Sequence, residues 1–170
     1  MVWVLDTKLL GELINVLEQE NRVYDSILKI SQSKTNIIVE GKVSELENIV
    51  KLEQSLVLQM GRLEDMREKL VEKLSVLLNL KPSEITVSEL MKHIKSDEAQ
   101  RLKACQDTLA GTVKELKNTN ELNSKLIKNS LDFINFSINL ISTTDAGSNN
   151  YGNTGQVNDG KRKNFFDMKL

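Results

Sequence analysis

Residues 46–80 read "LENIVKLEQSLVLQMGRLEDMREKLVEKLSVLLNL", and this stretch decides the fold. An apolar side chain recurs at every seventh position without interruption by proline, which is typical of a helix that packs along a partner helix. The stretch therefore predicts a long amphipathic helix over 45–79. Its predicted packing seam consists of Ile49, Leu56, Leu63, Leu70 and Leu77.

The residues before this stretch predict a second helix of the same kind. An apolar heptad row over 5–39 indicates a long amphipathic helix, and Gly41 ends it in a turn. Ser44 is followed three residues later by Glu47, which is the spacing of a capping box. We therefore expect the helix over 45–79 to begin with a side-chain cap.

The residues after this stretch predict a connector and a third long helix. Pro82 restricts the preceding residue away from helical geometry and should end the second helix. Thr86 and Glu89 have capping-box spacing and predict a short helix over 87–94. An acidic pair suits the positive end of a helix dipole and begins a predicted helix over 97–142. The expected fold is all-α: an elongated antiparallel bundle of three long helices with a short connecting helix.

The predicted helical domain covers residues 1–143 and is followed by a tail of different composition. Residues 144–170 are rich in Gly, Asn and Ser and carry few apolar side chains to offset the entropy of ordering, which predicts a flexible tail. The tail ends in "FFDMKL", in which Phe165, Phe166 and Asp167 form a candidate interaction element. This element would bind another protein, cover an empty groove, or dock permanently on the bundle.

Composition argues against several classes of function. The 170 residues carry a formal net charge of -1, so no overall attraction to nucleic acid or to anionic lipid is expected. No apolar run approaches the roughly 20 residues of a membrane span, and the first residues lack the pattern of a signal peptide. The single cysteine, Cys105, then favours a reducing cytoplasm. Cys105 lies at a seam position between Leu102 and Leu109, which predicts a small core residue.

Candidate residues for enzymatic chemistry are few. One histidine and one cysteine do not form a zinc site of the usual ligand spacing, and no nucleotide-binding glycine pattern is present. We therefore expect no metal, no cofactor and no enzymatic activity. The remote alternative is a histidine phosphotransfer module with His93 as phosphoacceptor, because such modules are also antiparallel helical bundles. A solvated or partly packed His93 is favoured, since no turn of small residues lies behind it.

The end of the third long helix is more apolar than packing within the chain requires. Residues 120–142 read "NELNSKLIKNSLDFINFSINLIS". At 1.5 Å per residue this helix exceeds the other two by about ten residues, which would project past the turn at Gly41. One apolar stripe suffices for packing on a helix pair, so a second stripe calls for a second partner. The two stripes are Leu131, Ile134, Ile138 and Ile141, and Phe133, Phe136 and Leu140.

Polar side chains precede this apolar end at positions where the heptad predicts core. They are Asn118, Thr119, Asn120 and Asn123. They would fix the register of the helix, mark a bend or face solvent, and register is the preferred interpretation.

The order of these features resembles the FlgN family of flagellar export chaperones. Asn120, Asn123 and Leu126 match the Asn-x-x-Asn-x-x-Leu element that leads into the apolar helix end of that family. The turn at Gly41 and the helix that follows it are also similar. The connector "LNLKP" resembles the family's Leu-Gly-x-Pro connector, with Asn79 in place of the glycine. The ending "GKRKNFFDMKL" looks like that of Gram-positive members.

The resemblance implies a cytoplasmic chaperone, without an active site, for the two hook-filament junction proteins. Such a chaperone holds the C-terminal helical segment of its client, prevents premature assembly and brings the client to the flagellar export apparatus. Contact with the membrane would be only indirect, through the export gate. The client helix would lie in a groove on the last helix. The expected groove or supporting residues are Leu126, Ile127, Leu131, Phe133, Ile134, Phe136, Ile138 and Ile141.

Other interpretations stay open at this point. The apolar helix end would be ordinary core if the short helix, the N-terminal "VWVL" or the tail folds over it. The same heptads would also serve a structural coiled coil or a chaperone for another secreted subunit. Without a client, the surplus apolar face is suited to pairing with a second copy as a homodimer.

Overall fold

Helices make up almost all of the part of the chain that the structure, a computed structural model, describes, which is residues 7–147. This part contains no β-strand, and the predicted all-α fold is confirmed. A 3-10 turn, Pro82–Glu84, connects the second and third α-helices. The α-helices are α1 (Thr7–Val39), α2 (Val43–Leu78), α3 (Val87–Leu90) and α4 (Ser96–Gly147).

The turn between α1 and α2 is built from backbone hydrogen bonds. Gly41 has a φ of 68°, a left-handed conformation in which glycine meets no Cβ clash, and the N–H of Lys42 donates to the carbonyl of Ile37 at 3.1 Å. The predicted capping box is wrong, because α2 begins at Val43 with Lys42 as N-cap and without a side-chain cap. Since the turn leads directly into α2, Ser44 lies already inside the helix.

The end of α2 depends on Asn79 as well as on Pro82. Asn79 has a φ of 53°, and the N–H of Leu80 donates to the carbonyl of Ser75 at 2.9 Å, as in a Schellman-type helix end. The helix therefore stops at Leu78, before the proline restricts the chain. Asparagine is, after glycine, a residue that readily adopts this left-handed conformation.

The short helix α3 begins as predicted and ends early. The hydroxyl of Thr86 accepts a hydrogen bond from the N–H of Glu89 at 3.1 Å, which confirms the predicted cap. After Leu90 the N–H groups of Lys92 and His93 donate to carbonyls three residues back. This tighter pattern ends the α-helix at Leu90, short of the predicted residue 94.

The structure separates into two compact units, and their boundary lies within α4. Unit 1 ends at Lys128 and contains α1, α2, α3 and most of α4. Unit 2 begins at Asn129, and its described part is the remainder of α4. The domain limits at 1–143 and 144–170 stay a prediction, because residues 148–170 lie outside the described part.

Ion pairs define the direction of α1 relative to α2. Glu20 of α1 pairs with Arg67 of α2 at 2.9 Å, and Lys34 of α1 pairs with Glu53 of α2 at 2.6 Å. The partner moves toward the start of α2 as the residue number on α1 rises. The two helices are therefore antiparallel, as the turn between them requires.

The core of unit 1 follows the predicted seam of α2 except at its last member. Leu63 and Leu70 are buried, but Leu77 is 60% exposed, and Leu74 is fully buried. A straight α-helix drifts by about 20° per heptad relative to a strict seven-residue repeat, so the end of the row rotates out of the interface. The residues that form this core together are Leu10, Leu13, Ile14, Val16, Val23, Leu63, Leu70, Leu74, Leu90 and Leu102.

Candidate functional site

A group of polar side chains, here called the polar clamp, joins α1 to α4. The amide nitrogen of Asn123 donates to the carbonyl of Ser31 at 2.9 Å, and its amide oxygen accepts from the Thr35 hydroxyl at 2.6 Å. The Ser31 hydroxyl donates to Asn120 at 2.6 Å. Ser31 is fully buried and Asn123 is 2% exposed, so these polar groups are satisfied inside the helix interface. The clamp defines a register between the helices, as preferred from the sequence.

The clamp shows where the α1–α4 interface ends. Its bonds join residues 88 to 92 positions apart: Thr35 with Asn123, Ser31 with Asn120, and Ser31 with Asn123. Because hydrogen-bonded partner numbers rise together along both helices, α1 and α4 are parallel. Adding these offsets to Val39, the last residue of α1, gives residues 127 to 131. Helix α1, which packs against α4, therefore ends beside the residues of α4 at the boundary of unit 1.

The residues of α4 that face α1 form a narrow seam. Buried or half-buried side chains recur at alternating steps of three and four residues, which is the spacing of a two-helix packing seam. Cys105 belongs to this seam and is 8% exposed, which confirms the prediction of a core cysteine. The seam consists of Leu102, Cys105, Leu109, Thr112, Leu116, Thr119, Asn123 and Leu126.

Most of the apolar residues that follow lie off this seam. Counting the same steps beyond Leu126 gives Ser130, Phe133, Ser137 and Leu140, of which two are serines. The row of aliphatic side chains lies one position later, and one residue corresponds to about 100° around an α-helix. This row, here called the apolar stripe, consists of Ile127, Leu131, Ile134, Ile138 and Ile141.

The side chains at this helix end are exposed. In the apolar stripe the exposed fraction runs from 38% for Ile127 to 66% for Ile141. Phe133 is 71% exposed and Phe136 is 64% exposed, and with Leu140 at 55% they form a second row, the phenylalanine face. Among the predicted site residues Leu126 differs, because it is half-buried and belongs to the seam. A soluble surface rarely leaves so many large apolar side chains together without a partner.

This helix end carries almost no charge. Between residues 129 and 143 the only ionisable side chain is Asp132. The hydroxyls of Ser137, Ser142 and Thr143 donate to backbone carbonyls within the helix, at distances of 2.8–2.9 Å. These hydroxyls already have an acceptor within the helix, so they add little free polar surface to this helix end.

His93 does not show the surroundings of a phosphoacceptor. Its ring nitrogen lies 3.3 Å from the carboxylate of Glu89, one turn earlier. Hydrogen bonds from Lys92, which has the larger effect, and from His93 lower the pKa of Glu89 below its ordinary value. His93 is half-buried and already paired with a carboxylate, in agreement with a partly packed histidine.

Other reactive groups also lack a site. Burial raises the pKa of the Cys105 thiol, so the reactive thiolate is disfavoured. Within residues 7–147 no three His, Cys, Asp or Glu side chains lie close enough together to hold a metal ion. No helix in the same range is long and apolar enough to span a bilayer. The predicted tail element, Phe165, Phe166 and Asp167, lies outside the described residues.

Comparison with known sequences identifies the family. The profile of the FlgN protein family matches residues 1–159. The chain belongs to the FlgN family. This membership places it among the chaperones of flagellar export.

A curated relative has the same family relationship. The FlgN-family chain is 28% identical over 129 residues to the uncharacterized protein YvyG of Bacillus subtilis (strain 168). The match covers 74% of this chain and 78% of YvyG. No solved structure matches the chain significantly.

Two features of unit 1 were not predicted as sites from the sequence. No local sequence pattern indicates Ser31 and Thr35 of α1 as partners in the polar clamp, since Ser31 occupies an ordinary heptad position. An apolar groove beside Cys105 is also absent from the predictions, because it forms between three separate helices. Only the apolar composition of the α4 residues around Cys105 would have indicated it.

Proposed function

We propose that this protein is a cytoplasmic chaperone that holds the C-terminal helical segment of hook-filament junction proteins and brings them to the flagellar export apparatus. Membership of the FlgN family supports export chaperoning in general. The observation that carries the finer proposal is the exposed apolar stripe of α4. It begins at Ile127, next to the last α1-facing seam residue, Leu126.

The stripe has the geometry of a helix-binding surface. Its members recur every three or four residues, so a client helix with anchors at the same spacing would pack along it. If Leu131, Ile134, Ile138 and Ile141 become buried, each contributes about 1.5–3 kcal/mol before the cost of ordering the client is subtracted. The net corresponds to about micromolar to nanomolar affinity. Client binding of this strength is reversible, as delivery for export requires.

The remaining site residues have supporting roles in this proposal. Leu126 anchors the start of the site through the α1 seam, and Ile127 begins the stripe beside it. Phe133 and Phe136 lie off the stripe and would contact the flank of the client helix. Because Asp132 is the only ionisable side chain from 129 to 143, the contact relies on apolar surface. Client affinity should therefore change little with salt concentration.

The tail element is proposed to contact the export apparatus through Phe165, Phe166 and Asp167. The competing role is a cover for the empty stripe. Deleting residues 161–170 separates the two roles, because a cover competes with the client. Unchanged client affinity supports contact with the export apparatus, whereas tighter client binding supports the cover.

In the absence of client, we expect the same stripe to pair with a second copy of the chain. A homodimer would remove the exposed isoleucines from water in a symmetric contact. Mass measurement with and without client tests this expectation. Client addition should convert the dimer to a one-to-one complex, and a dimer that persists with bound client would exclude the stripe as its interface.

The experiment for the chaperone function replaces Ile134 and Ile138 with Asp in the full chain. Calorimetry then measures binding to the C-terminal segments of both junction proteins. We expect client binding to be lost while the thermal midpoint and helical circular dichroism stay nearly unchanged, because both side chains are exposed, at 50% and 39%. A fall in thermal stability would place these residues in the core and contradict the proposal.

The matched control replaces Leu52 and Leu58 with Asp. These side chains lie on α2 and are 56% and 69% exposed, so the control makes the same chemical change on a different helix. It should bind client as the unmodified chain does. Equal loss of binding in both variants would show that any added acidic pair disturbs recognition. No binding by the unmodified, folded chain would refute junction proteins as clients.

A further inference from the structure

Helices α2 and α4 pack on different faces of α1 within unit 1. Glu20 of α1 pairs with α2, and the next residue, Asn21, donates a hydrogen bond to α4. Lys34 pairs with α2 in the same way, and the next residue, Thr35, donates to α4. Successive residues of an α-helix point about 100° apart, so the faces of α1 that hold α2 and α4 differ by about this angle.

This angle is too wide for α2 and α4 to pack on each other. Packed helix axes lie about 8–10 Å apart, so two helices that pack on α1 at about 100° are about 12–15 Å from each other. Helices α1, α2 and α4 therefore occupy three corners of a four-helix arrangement. The space between α2 and α4 is here called the open corner, and its lining consists of Val50 and Val57 of α2 and Val113, Asn120 and Ile127 of α4.

The direction of the helices turns these rows toward the open corner. The four apolar lining residues each lie one position after a seam residue, which turns them about 100° away from α1. Because α2 is antiparallel to α1 and α4 is parallel to it, this step turns in opposite senses on the two right-handed helices and brings both rows to the space between them. The seam residues that precede them are Ile49, Leu56, Thr112 and Leu126.

The lining of the open corner is largely apolar and exposed. Val50 and Val57 are 39% and 60% exposed, and Val113 and Ile127 are 42% and 38% exposed. The spacing on both helices is that of a heptad row, as in a seam that packs against a helix. Asn120 lies midway between Val113 and Ile127, and its amide oxygen accepts a hydrogen bond from α1. Its amide nitrogen can donate to one polar side chain of a partner.

The short helix α3 supplies the missing contact at one end of this corner. Leu90 of α3 is 2% exposed and lies in one buried cluster with Leu74 of α2 and Leu102 of α4. With four residues α3 spans only about 6 Å, so it cannot cover the length of the corner. A groove of about 320 Å³, lined by Val87 of α3 and Val113 of α4 among others, lies where α3 ends. Within residues 7–147 no other helix follows α3 along this corner.

The open corner fits a helix of the client. The 14 residues from Val113 to Ile127 correspond to about 21 Å of helix, and one amphipathic helix with apolar side chains every three or four residues would cover both rows. Ile127 also begins the apolar stripe, so a client helix that packs on the stripe at Ile127 continues along the same side of α4 into the corner. A second copy is less suited, because its α1, α2 and α3 are already packed in its own unit 1.

We propose that the open corner receives the helix of the client and completes a four-helix bundle with α1, α2 and α4. This inference rests on the chaperone function proposed above and extends it, because it makes α2 a part of the client-binding surface. Val50 and Val57 would contact the client from the side opposite to α4, and Asn120 would donate to a polar side chain of the client helix. The client would thereby be held between two helices.

Replacing Val50 and Val57 with Asp tests the part of α2 in client binding. Calorimetry with the C-terminal segments of both junction proteins should give an affinity about ten- to a hundredfold below that of the unmodified chain, since two apolar contacts are lost. The matched control is the chain with Leu52→Asp and Leu58→Asp, whose charges lie on other faces of the same helix, and it should bind within about twofold of the unmodified chain. Circular dichroism and the thermal midpoint should agree among the three chains.

A fluorescent probe reports occupancy of the open corner without an added charge. In a chain with Cys105→Ala, the variant Val57→Cys carries a solvent-sensitive dye in the corner, and Leu58→Cys carries the same dye about 100° away on α2. Addition of the client segment should shift the emission of the dye at position 57 to the blue. The emission of the dye at position 58 should stay unchanged.

The outcomes separate this inference from the chaperone proposal. If the client binds and the dye at position 57 does not respond, the open corner is not the site, whatever the Asp variant shows, and the stripe alone holds the client. Equal client affinity of the Val50 and Val57 variant and the unmodified chain also overturns the inference. No client binding by the unmodified, folded chain overturns both proposals. A blue shift at position 57 that grows with protein concentration in the absence of client would identify a second copy as the occupant and overturn the client in that role.

Discussion

Replacement of Asn123 by Ala is the sharpest test of how α4 is held against α1. Asn123 is 2% exposed and makes the central bonds of the polar clamp, to the Ser31 carbonyl at 2.9 Å and from the Thr35 hydroxyl at 2.6 Å. Alanine removes both bonds and keeps the helix. The Thr35 hydroxyl retains a partner, because it also donates to the Ser31 carbonyl at 3.3 Å.

The expected loss follows from two opposing contributions. Two hydrogen bonds with a net value of about 1 kcal/mol each give a loss of about 2 kcal/mol in the free energy of unfolding. Alanine is the better helix former and returns about 0.5 kcal/mol. The variant should therefore be less stable by about 1.5 kcal/mol.

Urea unfolding followed by circular dichroism measures this loss, and Asn118→Ala is the matched control. Asn118 is exposed on the same helix, so its replacement gains the same helix propensity without loss of the clamp. The difference between the two variants should be about 2 kcal/mol, which isolates the hydrogen bonds. If Asn123→Ala is no less stable than Asn118→Ala, the clamp does not hold the helices together and the argument is refuted.

Two further predictions concern the α1–α2 hairpin. Replacing Arg67 with Ala leaves the buried Glu20 carboxylate without its partner and should lower the free energy of unfolding by about 2–3 kcal/mol. This is less than for a fully buried pair, because the Arg67 side chain is 35% exposed. The control Arg62→Ala, at an exposed position, should change stability by less than about 0.5 kcal/mol in the same urea assay. Replacing Gly41 with Ala should lower the free energy of unfolding by about 1–2 kcal/mol, because alanine is strained at a φ of 68°. An added Cβ would meet no atom within 4 Å, so the backbone conformation is the source of this loss. Gly61 lies inside α2 and also has no atom within 4 Å of an added Cβ, so Gly61→Ala should instead stabilise the protein by about 0.5–1 kcal/mol. If thermal unfolding shows that both glycine variants raise, or both lower, the stability, the turn geometry is contradicted.

The helices were predictable because their signals are local. The heptad row of α2 and the cap at Thr86 lie within a few turns of the residues they organise. The start of α2 was not predictable from Ser44 and Glu47, because the backbone turn at Gly41 begins the helix before their side chains can cap it. The prediction that Leu77 packs in the seam was wrong, because the seven-residue repeat and the 3.6-residue helical turn diverge along a straight helix.

The candidate site was predictable in composition but not in its surroundings. The sequence indicates that residues 131–141 carry two apolar faces. It does not indicate which residues of α1 lie beside α4, since Ser31 and Asn123 are 92 positions apart. The offset between the helices determines where α1 ends relative to α4, and only the folded chain contains that offset. The groove beside Cys105 was missed for the same reason.

The polar clamp and the apolar stripe together explain why α4 keeps its most apolar residues exposed. Apolar burial alone would favour sliding α4 along α1 until the stripe replaces the seam, because the seam contains Thr112, Thr119 and Asn123, whereas the stripe is entirely Leu and Ile. Such a slide would separate Asn123 from its partners on α1 and leave buried polar groups unsatisfied. The clamp lies within one or two turns of Ile127, where a shift would begin to bury the stripe. A polar group inside a helix interface commonly selects one register at some cost in stability. Here that selection keeps the stripe, the proposed client-binding surface, out of the interface with α1.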